Sequence, residues 1–539
     1  MATRINSEMI AKYTKEGHWR NKTLYDLFKE VLKKHPNKIA VVDRGNQLSF
    51  QDIENMSNSL ASSLRHLGVL KGEVVSFELP NWYQSVILNL ALTKLGAVIN
   101  PIIPIYRDRE VTYILKQAES VAIVIPSTFR GYNYVEMLQR IKPNLPKLRD
   151  IIVVGDEVPE GMIALEKLME GDRSPILPET VDPNDIKLLL YTSGTTAEPK
   201  GVQHTHNTLI CENFNVAGGV GLDEESVIFM PSPVTHITGY LYALELPLIL
   251  GCKVVLMDIW VPEKALDLIT KEKCTWTVGA TPFLQHLMDV PRVKDYDLSR
   301  LTFGCGGAFI PSEIIKGAVA KLGLRAYRGY GSSESPTVSF GTKEDSLDQN
   351  AETDGRVVGN EIRIVDSDNN PLPFWEEGEV VVKGPEVFVG YRDPSLNKDA
   401  FDQEGWYHTG DLGRLSADGY LEITGRKKDI IIRGGENLSS VEIENFLYMH
   451  PSVEVAAAVA MPDVKMGEKV CAYVKLKKGA HLTLEELIHF LSQHDLAKQK
   501  MPERLELIDE FPMTPSGKIK KNELRKDIAQ KLNLPPVRI

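Results

Sequence analysis

Cysteine is scarce: Cys211, Cys252, Cys274, Cys305 and Cys471 are the five in a chain of 539 residues. None forms a C-x-x-C pair and none has histidines at metal-ligand spacing, which excludes a disulfide framework and a structural zinc site. All five read as reduced core thiols. Long hydrophobic runs are missing too. The most apolar stretch, Tyr240 to Gly251, is short and interrupted by Glu245 and Pro247, and the first twenty residues lack the apolar core of a secretory leader. The sequence therefore reads as cytoplasmic, with no stable membrane insertion. Its last residues, Val537-Arg538-Ile539, are not a peroxisomal address. Positive charge is in deficit: 62 Lys and Arg against 73 Asp and Glu leave −11. Nonspecific nucleic-acid binding is disfavoured, and any polyanionic ligand has to meet a local basic site. Internal repeats and low-complexity segments are absent.

What is present is an ordinary globular composition, 43% apolar and 25% charged, over more length than a single core uses. From Val74 to Gly155 the chain reads as strand (VVSFELP), helix (WYQSVILNLALTKLGA), strand (VINP), helix (REVTYILKQAE), strand (VAIVIP) and strand (IIVVG). Strands alternating with helices predict a parallel sheet, and a helix from Trp82 that is apolar nearly all round fits between layers. The expected body is a large multilayer α/β domain of mostly parallel sheets, residues 1–427. After Gly425 the character changes. A basic link, RKKD, leads to IIIR, a helix, two strands (VEVAAAVAM and KVCAYVKLK), another helix and a last strand (RLELIDEF). Ser439 with Glu442, and Thr483 with Glu486, are capping boxes opening the two helices. This predicts a small α+β domain over residues 428–539.

The stretch YTSGTTAEPKGVQHTH, Tyr191 to His206, follows the apolar run IKLLL and reads as a buried strand running into a ligand loop. Gly194 and Gly201 let backbone N–H groups approach a ligand; Thr192, Ser193, Thr195 and Thr196 add hydroxyls, and Lys200 adds a mobile charge. That inventory suits a phosphate chain, although the same residues also build polar surface turns. The spacing is not that of a P-loop.

Further segments have a similar character: GCGGAFIP (Gly304 to Pro311), GYGSSE (Gly329 to Glu334), YHTGDLG (Tyr407 to Gly413), GRKKDIIIRGGENLSSVEIE (Gly425 to Glu444) and PSGKIKK (Pro515 to Lys521). In this order, together with Tyr191 to Gly201, they resemble the adenylate-forming superfamily of acyl-CoA synthetases, adenylation domains and beetle luciferases. The resemblance spans nearly the whole chain. It implies an AMP-forming acid–thiol ligase of the medium-chain or cyclohexanecarboxylate type, a place in fatty-acid metabolism, and ATP, Mg²⁺ and coenzyme A as partners of a small carboxylic acid. By matching position, Thr192 to Lys200 cradle phosphates. Gly306, Gly307 and Ala308 wall the adenine opposite Tyr330, within Gly329, Tyr330, Gly331, Ser332 and Ser333. Glu334, with Thr196, meets magnesium; Asp411 and Arg426 meet the ribose. Lys518 is the adenylating lysine, Lys428 the pivot of a mobile small domain, and Gly434 and Gly435 the lining of a pantetheine tunnel. Ala197, Ser333 and Arg328 depart from commoner residues, and Arg328 leaves the adenine-edge contact open.

His236, Tyr240, Thr281 and Ser335 fall where relatives build the acyl pocket, and His236 is also grouped with Lys518 and Glu334 as catalytic. Ser232 to Gly251 contains no arginine or lysine, which points to an apolar monocarboxylate and not an amino or dicarboxylic acid. A free-standing adenylation enzyme serving a carrier protein, a luciferase-like oxygenase and a nucleotide-binding sensor are the competing readings. A homodimer is compatible with all of them.

Overall fold

The computed structural model describes residues 4–155, 157–171, 180–192, 198–307, 310–494, 496–514 and 518–537. Among them, a seven-stranded sheet has at its centre the parallel strands Val98–Pro101, Val74–Phe77, Ala122–Pro126 and Asp150–Val154. A nine-stranded sheet has at its centre the parallel strands Arg325–Tyr330, Thr302–Gly306, Trp276–Gly279, Val227–Met230 and Lys253–Leu256.

Alternation within these strands fixes the layers. Ile228 and Val254 join the core that includes Val75 and Leu88, whereas their neighbours Phe229 and Val255 join a second core with Leu266, Phe303 and Ile315. Val74, Ile123 and Leu189 join a third core with Ile114 and Leu138. Sheets covered on both faces need apolar residues at successive positions, as VVSF and VIFM supply. The helix Tyr83–Leu95 is buried from Gln84 to Leu95 and ends at Gly96, whose φ of 65° is left-handed. It lies in the layer between the sheets, as its all-round apolarity predicted. Between the third and fourth strands of that stretch the structure adds a helix, Tyr134–Ile141, that the sequence reading omitted.

A four-stranded antiparallel sheet, Glu361–Val365, Gly378–Lys383, Tyr407–Leu415 and Leu421–Arg426, leads into the C-terminal part. There Val453–Asp463 and Gly467–Leu476 pair antiparallel, and Arg504–Leu507 adds in parallel. Ala456, Ala458 and Val470 pack with Ile443 and Leu487 on one face; Ala457, Val459 and Cys471 pack with Leu524 and Ile528 on the other. The second face is covered by the helix Lys521–Leu532, absent from the sequence reading. The Thr483–Glu486 capping box is reciprocal. At Ser439 only half forms, because the Glu442 carboxylate is taken by Lys500 at 2.5 Å. All five cysteines are free and buried. No helix among the described residues is long and apolar enough to cross a membrane.

Candidate active site

Parallel strands leave a crevice beyond their carboxyl ends, and the site begins there. Gly306 and Gly329 are register partners at the ends of Thr302–Gly306 and Arg325–Tyr330. A Cβ on Gly306 would lie 3.1 Å from the Gly329 carbonyl oxygen, and Gly307 has a left-handed φ of 84°. The backbone here is a thin wall. Tyr330 stands beside it and donates its hydroxyl to Asp411 Oδ2 at 2.7 Å; burial, and then the Asp411 charge, pushes the phenol well above its usual range. Asp411 is opposite Arg426 across two antiparallel strands, and Arg426 Nε binds Asp411 Oδ1 at 2.9 Å. Asp411 thus sits on a strand, joined to a tyrosine and an arginine that face the same cavity. Arg328 is committed elsewhere: its guanidinium grips Asp354 at 2.9 Å through Nη2 to both carboxylate oxygens.

The turn after Tyr330 is tightly folded. Ser332 N donates to Ser335 O at 2.8 Å, and a Cβ on Gly331 would overlap the Pro336 carbonyl. Two contacts hold this turn from opposite sides: His204 Nε2 donates to Ser333 O at 2.7 Å, and Phe388 N donates to Glu334 O at 2.7 Å. Glu334 Oε1 accepts from the Tyr391 hydroxyl at 2.9 Å, and the Lys200 ammonium lies 5.2 Å above the Tyr391 ring. His204, Phe388 and Tyr391 were not singled out from sequence. Tyr391 is 57 residues from Glu334, a separation that no periodicity reports. Thr192 ends its strand as the register partner of Lys200. Ser193, Gly194, Thr195, Thr196, Ala197 and Ala308 lie outside the described residues.

The donor set fits a magnesium ion carried in on a nucleotide. Such an ion takes one or two carboxylates plus phosphate oxygens, and Glu334 supplies one carboxylate facing the cavity. Among the described residues no group of three or more His, Cys, Asp or Glu could form an all-protein cage.

From the C-terminal part, Lys518 reaches the same place. Its Cε is 3.8 Å from the position of a Cβ on Gly307; its carbonyl accepts from Thr514 N at 2.6 Å and its N–H donates to Thr514 Oγ1 at 3.0 Å. Burial and the nearby Arg426 lower the Lys518 ammonium to about 8, against the opposing pull of Asp411 and Glu334. Lys428, in the short turn Lys427–Asp429, is likewise lowered to about 8 by burial and Arg426. Asp429 pairs with Arg525, and Lys521 with Glu444, tying that turn and the helix Ser440–Tyr448 to the helix Lys521–Leu532. Gly434 and Gly435 have left-handed φ of 58° and 91° and lie outside the cavity lining.

The cavity continues past His236 and Thr281. His236 caps the helix that follows, its Nδ1 accepting from Thr238 N at 3.4 Å. Burial and the Lys518 charge lower its pKa to about 4, so the ring is neutral at pH 7 with its proton on Nε2, a donor. The structure corrects the sequence reading at two pocket positions. Tyr240 is fully buried and points its hydroxyl at Asn89 Oδ1, 3.0 Å away, while Leu241 and Tyr242 line the cavity. The cause is a π-helical turn, Tyr240–Glu245, which rotates the side chains relative to α spacing. Ser335 is buried inside its turn, and Pro336 and Thr337 take its place in the lining.

A single cavity of about 1800 Å³ thus joins Tyr330, Asp411 and Arg426, Glu334 and Lys200, Lys518 and Lys428, and His236. Residues 28–392 match the AMP-binding enzyme family, and residues 442–518 match the AMP-binding enzyme C-terminal domain. The chain belongs to the AMP-binding enzyme family. It is 37% identical to the medium-chain fatty-acid–CoA ligase of Escherichia coli (strain K12), over 98% of this chain and 94% of that one. It is 31% identical to the 2,3-dihydroxybenzoate-AMP ligase of Bacillus subtilis (strain 168), over 97% of each. Among solved structures, ATP-bound MatB from Rhodopseudomonas palustris superposes with a TM-score of 0.85 at 26% identity, covering 94% of this chain and 99% of that one. As an AMP-binding enzyme the chain has the expected α/β architecture with a small C-terminal domain.

Proposed function

We propose that this AMP-binding enzyme is an ATP-dependent acid:coenzyme A ligase. It joins a carboxylate to the α-phosphorus of ATP, releasing pyrophosphate, and then passes the acyl group to the coenzyme A thiol, releasing AMP. The observation that carries the reading is the convergence of Lys518 from the C-terminal part with Asp411, Glu334 and His236 in one cavity. A carboxylate and a nucleotide phosphate repel each other, so a cation buried between them is what adenylation needs. Lys518 is that cation in the reading. His236, neutral, donates Nε2–H to the acid without adding charge. Asp411 accepts from ribose hydroxyls, and Tyr330 and the Gly306–Gly307 backbone bracket the adenine. Glu334 would hold a magnesium ion carried in on the nucleotide, which would supply neutralisation of phosphate charge.

For the acid, an uncharged and mainly apolar skeleton of the medium-chain or alicyclic type fits best. Glu245, the acidic residue of Ser232 to Gly251, is turned into the core, 3.4 Å from Lys187, so it presents no charge to a ligand. The name of the Escherichia coli relative supports the same class. That of the Bacillus subtilis relative favours a second reading, in which adenylation is retained and the final acceptor differs.

The test is acid-dependent exchange of pyrophosphate into ATP, followed by thioester formation with coenzyme A. Exchange without thioester would move the acceptor to a carrier protein. No exchange with any acid of a broad panel would overturn the ligase reading.

A further inference from the structure

The cavity wall also holds two members of a hydrogen-bonded triangle that the adenylation chemistry does not use, Tyr242 and Thr337. Glu212, fully buried on the helix His206–Val220, accepts at Oε1 from the Tyr242 hydroxyl and from Thr337 Oγ1, the latter at 2.8 Å. Tyr242 and Thr337 oxygens are 2.7 Å apart. Both residues line the cavity, and Thr337 keeps part of its surface open to it. Around them the wall is apolar and aromatic. Val216 and Leu241 lie alongside, and Trp276 meets the Tyr242 ring edge-on at 5.2 Å while donating Nε1–H to the Tyr327 hydroxyl at 3.0 Å.

A proton count decides what the triangle offers. Each hydroxyl has one proton, and the triangle has three contacts for those two protons. Both are consumed internally, with Glu212 Oε1 as the final acceptor. Oε2 has no hydrogen-bond partner among the described residues, so a proton taken up there would leave Oε1 accepting both hydroxyls as before. Lone pairs are therefore what face the ligand. A hydrocarbon end would cover those acceptors without satisfying them, and a buried unpaired acceptor is costly. The placement is deliberate in the backbone: the π-helical turn Tyr240–Glu245 sends Tyr240 to Asn89 and Tyr242 to Glu212.

We infer that the acid this enzyme activates carries a hydroxyl group at the end remote from its carboxylate, held by the Tyr242 and Thr337 oxygens that Glu212 orients. The inference rests on the acid-ligase reading and narrows its substrate class to hydroxylated acids with a mainly apolar skeleton. From His236 to Tyr242 is six residues along a helical stretch, an axial rise of roughly 9 Å at ~1.5 Å per residue, which is on the scale of a single ring or a short chain. An ammonium group would donate to the same lone pairs, but it would bring a full charge into a mainly apolar wall with no carboxylate oxygen open to pair it, a cost that a hydroxyl does not carry.

Matched pairs of acids test this on the full chain: hexanoate, ω-hydroxyhexanoate and ω-aminohexanoate, and cyclohexanecarboxylate with its hydroxylated analogue, each assayed for pyrophosphate exchange. The hydroxylated member is expected to have a kcat/KM on the order of 10-fold or more above its hydrocarbon partner, since a site built for a hydroxyl discriminates against its absence. Thr337→Val, which keeps volume and removes the oxygen, is expected to shrink that ratio to about 2-fold or less. Tyr242→Phe is expected to do the same, and the ratio within one preparation corrects for loss of folded protein. A wild-type preference for the hydrocarbon or the amino acid overturns the inference while leaving the ligase reading intact. So does a ratio that both variants preserve. Exchange with no acid in either set overturns this inference, and exchange with no acid of the broad panel overturns the ligase reading as well.

Discussion

Lys518 is charged only below its titration point, and that sets the sign of its pH effect. With the ammonium lowered to about 8, it is a cation at pH 7 and progressively neutral as pH rises through about 8. Adenylation is therefore expected to fall on the alkaline side, with kcat/KM for pyrophosphate exchange declining above about pH 8, because that parameter follows the free enzyme. Lys518→Arg, which stays charged, should move that limb upward, and an unmoved limb would assign it to another group such as Lys428. Lys518→Ala should reduce exchange by ~10²-fold, about 3 kcal/mol, while thioester formation from preformed acyl-adenylate survives. Asp411→Asn acts on another ligand. It replaces one acceptor oxygen by a donor and weakens the contacts with Tyr330 and Arg426, so KM for ATP should rise more than KM for the acid. Steady-state kinetics with each substrate varied in turn separates the two.

Between one residue and its function stands the element that aims it, and here the sequence is readable in some places and silent in others. The glycine-rich segments around Gly306 and Gly329 are legible as ligand loops, whereas the strands that lead into them, TFGCG and RAYRGY, carry no apolar run and were not read as strands. Gly307 has a left-handed φ, so Gly307→Ala should cost about 1 kcal/mol in stability; the added Cβ meets Lys518 only in ordinary contact at 3.8 Å, and it is the backbone shift relieving the strain that would move the wall Lys518 approaches. Exchange activity is expected to fall by more than thermal stability explains, and a shift in melting temperature alone, with full exchange, would remove Gly307 from the site. Tyr240 shows the opposite case. A spacing argument on an α-helix cannot foresee a π-helical turn, because the insertion depends on packing against Asn89 and Glu212 from other elements. Tyr391 and His204 were equally invisible, since each acts by a contact made across the fold. The helix Lys521–Leu532 was missed for another reason: its mean composition is polar, and its buried face consists of Leu524, Arg525, Ile528 and Ala529.

At the scale of the whole molecule, Lys518 stands inside the cavity while Gly434 and Gly435 stand outside it, though all three belong to the C-terminal part. One rigid placement cannot serve both an adenylating lysine and a glycine pair lining a thioester tunnel. The resemblance read from the sequence implies that the C-terminal part turns about Lys428 between the two halves of the reaction. On that expectation the turn Lys427–Asp429 would absorb the rotation: it follows directly on the strand Leu421–Arg426, and Asp429 is bound to Arg525 of the C-terminal part. The tight geometry of such a turn has φ near −60°, which proline fixes. Lys428→Pro should accordingly hold the observed arrangement. Pyrophosphate exchange is expected to persist within several-fold of wild type, and acyl-coenzyme A formation from preformed adenylate to drop by an order of magnitude or more. Lys428→Ala, which removes the charge and keeps the freedom, should retain thioester formation better than the proline variant. Equal losses of both half-reactions in Lys428→Pro, or equal thioester rates in the two variants, would mean that the turn is a fixed connection and that the glycine pair reaches no tunnel by this route.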